Sequence, residues 1–171
     1  MNSPKLICIT GLPATGKTTL ARAYAERYKA VHLSSDQVRT ELGLRGHYTP
    51  EAKRRVYDEL LARVRNALEA GRDVVVDSVL PREALRKPFQ EVAAACGATS
   101  WWVHLKISDA TARTRLSRPR TDSEATFDVY EKLQEEWEVI SVPHLCLQAD
   151  TSSVEDLLRS LRQYISQRNS C

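Results

Sequence analysis

Leu6-Ile-Cys-Ile-Thr10, running directly into Gly11-Leu-Pro-Ala-Thr-Gly16-Lys17-Thr18, decides the reading of this chain. The first five residues form a short, continuous apolar run, the pattern of a strand buried on both faces. The next eight match G-x-x-x-x-G-K-S/T at every fixed position, and a helix-forming stretch follows to about Tyr28. A strand, this loop and a helix in that order create an anion site. Successive amides point inward as a nest, and the helix amino terminus adds partial positive charge. Lys17 supplies a mobile cation and Thr18 a hydroxyl for a hard divalent ion. The expected ligands are therefore ATP and Mg²⁺, cradled by Gly11, Ala14, Thr15, Gly16, Lys17, Thr18 and Thr19. Pro13 has no N–H, so the contacts fall to the amides of residues 14 to 19.

Outward from this loop, apolar runs alternate with amphipathic stretches, the pattern of βα units and a parallel sheet. Val31–Leu33, Asp73–Asp77, Thr99–Leu105 and Leu145–Leu147 read as four further strands. A helix begins at Ser34-Ser-Asp36. The clearest one spans Thr49 to Ala70, with Thr49 at the N-cap, Pro50 in the first turn and Gly71 ending it. Its apolar residues Val56, Leu60, Leu61, Val64 and Leu68 predict one buried face. Other helices are expected over Pro81–Ala95, from a cap at Asp109 to a break at Pro119, over Thr126–Val139 and over Val154–Ile165. Of the paired Trp101 and Trp102, one is expected in the core and one on the surface.

With 171 residues, 42% hydrophobic and 27% charged, the chain fits one globular domain. A net charge of +3 tolerates anionic ligands without marking a nucleic-acid track. Cys8, Cys96, Cys146 and Cys171 form no C-x-x-C pair and have no histidine at zinc spacing, so reduced structural thiols are expected. The apolar stretch Leu6–Ile9 is too short for a secretion signal or membrane span, which favours the cytoplasm and no membrane partner. No obligate protein partner is evident.

Asp36 follows the second strand at the carboxyl edge of the expected sheet, where α/β proteins bind ligands. Its carboxylate either takes a proton from an attacking hydroxyl or, with Ser35, caps a helix. Arg39, three residues on, shares its helix face and either holds an anionic group on the acceptor or is solvated. Asp77, after Val-Val-Val, either orients Mg²⁺, receives the acceptor hydroxyl or caps a loop. Arg113, Arg115, Arg118 and Arg120 around Pro119 predict a lid over residues 113–126 that closes on the phosphates, with Arg118 first, then Arg120 or Arg115. His32 and His104 read as structural strand histidines. His47 and Tyr48 are placed near the acceptor, and Asp150 and Thr151 near the adenine edge.

The segments GLPATGKTTLARAYAERY (11–28), SSDQVRTEL (34–42), YTPEAKRRVYDELL (48–61), VVVDSVLPREALR (74–86), RTRLSRPR (113–120) and EEWE (135–138) together resemble the P-loop kinases of the polynucleotide kinase, zeta toxin and gluconate kinase group. The resemblance implies a three-layer P-loop NTPase fold with a five-stranded, mostly parallel sheet and a helical lid. It implies transfer of the γ-phosphate of ATP to a hydroxyl-bearing small molecule or nucleic-acid end. It also implies Asp36 as general base, Arg39 on a substrate phosphate, Lys17 and Thr18 on nucleotide and Mg²⁺, and a lid arginine at the γ-phosphate. A nucleotide-switch ATPase is the reading from a different class.

Overall fold

The computed structural model describes residues 2–119 and 124–168. Along the chain run β1 (Lys5–Thr10), α1 (Lys17–Tyr28), β2 (Val31–Ser34), α2 (Ser35–Glu41), α3 (Pro50–Glu69) and β3 (Val74–Asp77). They are followed by α4 (Glu83–Ala95), β4 (Thr99–Lys106), α5 (Asp109–Leu116), α6 (Phe127–Glu135), β5 (His144–Gln148) and α7 (Val154–Arg168). The strands lie in the order β2-β3-β1-β4-β5, and every pairing is parallel. The expectation of a mostly parallel sheet is thus met in its strictest form.

Alternation along the strands builds two cores. Ile7, Ile9, Trp101, Val103 and Leu105 face Leu20 and Tyr24 of α1 and Leu157, Leu158 and Leu161 of α7. Leu6, Cys8, Val74, Val76 and Trp102 face Val38 of α2, Val56, Leu60 and Val64 of α3 and Phe89 of α4. Helices on both faces make three layers, so neither side of an inner strand meets water. For that reason Trp101 and Trp102 are both buried, at 1% exposure each, one in either core. The expected surface tryptophan does not exist.

α3 forms as its sequence dictates: Thr49 Oγ1 accepts from the Ala52 amide, Pro50 opens the first turn and Val56, Leu60, Val64 and Leu68 are buried. Leu61 is only partly covered. Elsewhere tertiary contacts move the ends. α4 starts at Glu83 rather than Pro81, because Leu80 adopts a positive φ of 46° and Arg82 is extended. The cap of α5 is Ser108, whose hydroxyl accepts from the Thr111 amide, and not Asp109. α5 ends at Leu116, three residues short of Pro119. α6 stops at Glu135 instead of Val139, since Trp137 leaves the helical path to stack on His104 and the carbonyls of Glu138 and Val139 turn to Arg86. Cys8, Cys96 and Cys146 are free thiols. Among the described residues no helix is long and apolar enough to cross a membrane.

Candidate active site

The loop between β1 and α1 is shaped by two glycines. A side chain on Gly11 would place its Cβ 2.5 Å from the Leu105 carbonyl oxygen of β4, so the loop packs where only glycine fits. Gly16 has open space around it but sits at φ 94°, a left-handed conformation that disfavours any L side chain. Ala14 also adopts a left-handed φ of 67°, a strain that a β-carbon tolerates at a cost of about 1 kcal/mol. Lys17 Nζ donates to the Leu12 carbonyl at 2.9 Å, and Thr15 Oγ1 donates to the same oxygen at 2.9 Å. Thr19 is exposed at the start of α1.

β2 and β3 pair in register, Ser34 beside Asp77, and this joins the loop to the neighbouring strands. Asp77, 3% exposed, accepts from Thr18 Oγ1 at 3.0 Å and from Ser34 Oγ at 3.4 Å, and its other oxygen bonds His32 Nε2. His32 and Ser34 share a face of β2, so both reach Asp77. His32 therefore belongs to the site rather than to the fold alone. The sequence signal was the strand period of two, which puts His32 on the side of Ser34.

Beside this group opens a cleft of about 230 Å³, lined among others by Thr18, His32, Asp36, Arg39, Tyr48 and Glu124. Asp36 is exposed to it from the first turn of α2. Arg39 is 8% exposed, donates to the His47 carbonyl at 2.7 Å and lies 4.5 Å over the Tyr48 ring. It is held by the chain rather than solvated. The N-cap of α2 is Ser34, whose side chain is used on Asp77, so neither Ser35 nor Asp36 caps the helix. Ser35 is partly covered and does not line the cleft. Arg22, four residues after Thr18 on one helix face, and Arg45 also line it, and reading the sequence missed both.

Glu124 closes one wall. It accepts from the Gly46 amide at 2.8 Å, from Tyr48 Oη at 2.6 Å and from Arg45 Nε at 3.4 Å. Donation by Tyr48 holds the Glu124 carboxyl below its ordinary value, with the Gly46 amide and Arg45 acting in the same sense. Burial, and then the bond to Glu124, push the Tyr48 hydroxyl up to about 12. Arg115 Nη1 donates to the Ala14 carbonyl at 2.9 Å, bringing the expected lid into contact with the phosphate loop. Arg113 lies 4.0 Å over the Phe127 ring and joins α5 to α6. Arg118 is exposed beyond the end of α5, and Arg120 lies outside the described residues. Asp150 serves α5, accepting from the Ser108 amide at 2.9 Å and from Thr111 Oγ1 at 3.0 Å.

Residues 6–140 match the family described as AAA domain. No curated protein matches the chain. Among solved structures it is similar to the APS kinase CysC of Mycobacterium tuberculosis in complex with AMPPNP and APS, at 17% identity and a TM-score of 0.74, covering 97% of this chain and 99% of that one. A gluconokinase from Sinorhizobium meliloti 1021 aligns at 18% identity and a TM-score of 0.67, covering 94% and 90% of the two chains. In the Pnkp1/Rnl/Hen1 RNA repair complex the match is 18% identical with a TM-score of 0.69, over 80% of this chain and 44% of that one. Such identities speak for a common fold.

Proposed function

The chain belongs to the AAA domain family, and from that membership and the geometry of the cleft we propose that it is an ATP- and Mg²⁺-dependent kinase acting on a hydroxyl group. One observation carries the reading. Asp36 and Arg39 open into the same cleft as Thr18, whose hydroxyl is bonded to Asp77. A proton acceptor, an anion-binding guanidinium and a pair of hard oxygen donors thus stand together beside the phosphate loop.

In this reading Lys17 exchanges the Leu12 carbonyl for the β- and γ-phosphates, with the amides from Ala14 to Thr19 around them. The hydroxyl of Thr18 and the carboxylate of Asp77 fit Mg²⁺, which when bound offsets charge on the phosphate oxygens. His32 and Ser34 hold the Asp77 carboxylate in place. Asp36 takes the proton of the acceptor hydroxyl as its oxygen attacks the γ-phosphorus. The bond from that phosphorus to the bridging oxygen breaks, and ADP leaves. Residues 113–126 act as the lid of one catalytic domain, with Arg115, Arg118 and Arg120 as the cations that close on the transferring group.

Arg22, Arg39 and Arg45 suit an acceptor that carries its own negative charge. Two kinds meet this requirement, a polynucleotide 5'-hydroxyl with its adjacent phosphate and a small anionic sugar derivative; the cleft's modest size accepts a single unit of either. Labelled γ-phosphate transfer to 5'-hydroxyl DNA and RNA, gluconate, aminoglycosides, chloramphenicol and sugar nucleotides tests the proposal. Labelling of one acceptor supports it and names the class, with loss in rising salt expected for an oligonucleotide. Steady ATP hydrolysis that no member of the panel stimulates would favour a nucleotide switch.

A further inference from the structure

Linear spacing of cysteine and histidine excludes a zinc knuckle in this chain, but strand pairing assembles donors that the linear order keeps apart. His104 of β4 pairs in register with Cys146 of β5, and His144 stands two residues before Cys146 on the same face of its strand. One donor atom from each of the three lies within 4.8 Å of the others. Tetrahedral coordination by two imidazoles and a thiolate needs donor separations of about 3.4–3.6 Å, so the donors have at most about 1.4 Å to close.

We propose that His104, His144 and Cys146 form a binding site for a late first-row divalent cation, Zn²⁺ foremost, separate from the cleft beside the phosphate loop. Three features beyond proximity support it. The donors are imidazole nitrogen and thiolate sulfur, which favour Zn²⁺ over Mg²⁺, whereas Thr18 and Asp77 offer only oxygen. The Nδ1 of His144 donates to the Val142 carbonyl at 2.9 Å, which orients the ring and leaves Nε2 with its lone pair, the outer arrangement usual around a metal-bound histidine. His104 is held by its stack on Trp137, with ring centroids 4.6 Å apart.

The cluster lies on β4 and β5, at the opposite side of β1 from His32, Asp36 and Asp77. Cys146 is exposed and the two histidines half-buried, so a cation enters from solvent and a fourth position stays open to water. On binding, the Cys146 thiol releases its proton to solvent and three protein bonds clasp the edge strand β5 to β4. The site is therefore a clasp at a sheet edge, and it stands whether or not the kinase reading does.

Co²⁺ tests it, added to reduced, chelator-stripped protein in excess Mg²⁺, which competes for oxygen donors but not for imidazole and thiolate. The expected result is one Co²⁺ per chain with a thiolate-to-cobalt charge-transfer band. That band disappears in Cys146→Ser, and affinity falls by more than about tenfold in His144→Ala. Zn²⁺ displaces the Co²⁺ and raises the melting temperature of the native chain but not of Cys146→Ser. Cys146 is exposed, so this variant keeps its fold even if substitutions at His104 do not. Absence of the band, or an unchanged band in Cys146→Ser, would overturn the site.

Discussion

Arg86 is fully buried, and it does not line the cleft beside the phosphate loop. Its guanidinium donates to the carbonyls of Leu80 at 2.9 Å, Pro81 at 2.8 Å, Glu138 at 2.6 Å and Val139 at 3.2 Å, and lies 5.1 Å over the Trp137 ring. Both chain segments that it binds lack regular structure: the turn after β3 and the exit from α6. Their carbonyls have no helix or sheet partner, and the five donors of one guanidinium answer four of them. Arg86→Met takes the charged donor from all four oxygens and leaves Pro81 only the Glu138 amide, so a loss of roughly 3 kcal/mol or more in urea unfolding is expected. A loss under about 1 kcal/mol would show that water replaces the side chain. Nothing in the amino-acid order near Arg86 separated it from the exposed Arg82 or Lys87, because two of the four carbonyls it serves come from some fifty residues away.

Among the elements, those governed by neighbouring residues were legible and those governed by distant ones were not. Thr49 and Pro50 fix the start of α3 through a local cap worth about 1 kcal/mol, so the sequence places it to the residue. The end of α6 is set by His104 and Arg86, and no local signal marks it. The phosphate loop, Asp36, Arg39 and Asp77 could be found from motif and spacing, while His32, Arg22 and Arg45 required the strand pairing and the cleft. The wall formed by Glu124 and the loop after α2 belongs to this scale too. The Glu124 carboxyl is lowered below its ordinary value, so the unfolded chain takes up its proton first. The contacts are at full strength above the ordinary carboxylate range and are lost as pH falls through the lowered folded value. Glu124→Ala should speed hydrogen exchange of the Gly46 amide near neutral pH relative to its intrinsic rate. The native chain should show that acceleration only on acidification. Equal exchange in both proteins near neutrality would mean that the wall is not held in solution.

At the scale of the whole molecule, the strand order brings together groups from the first half of the chain. β1 lies at the centre, so the phosphate loop emerges between β3 and β4, and the β2–β3 pair carries His32, Asp36 and Asp77 to one side of it. The other side, β4 and β5, supports α5 through Ser108 and Asp150, and α5 sends Arg115 back to the loop. This division of labour makes a specific demand on Asp36. It should act on the acceptor hydroxyl without taking part in holding ATP. The decisive measurement is therefore the Asp36→Asn variant, with its phosphoryl-transfer rate and its ATP dissociation constant determined side by side. Transfer should fall by about 10²–10⁴-fold while the dissociation constant stays within about twofold of the native value. Transfer and ATP affinity falling together, or transfer unchanged, would contradict Asp36 as the base.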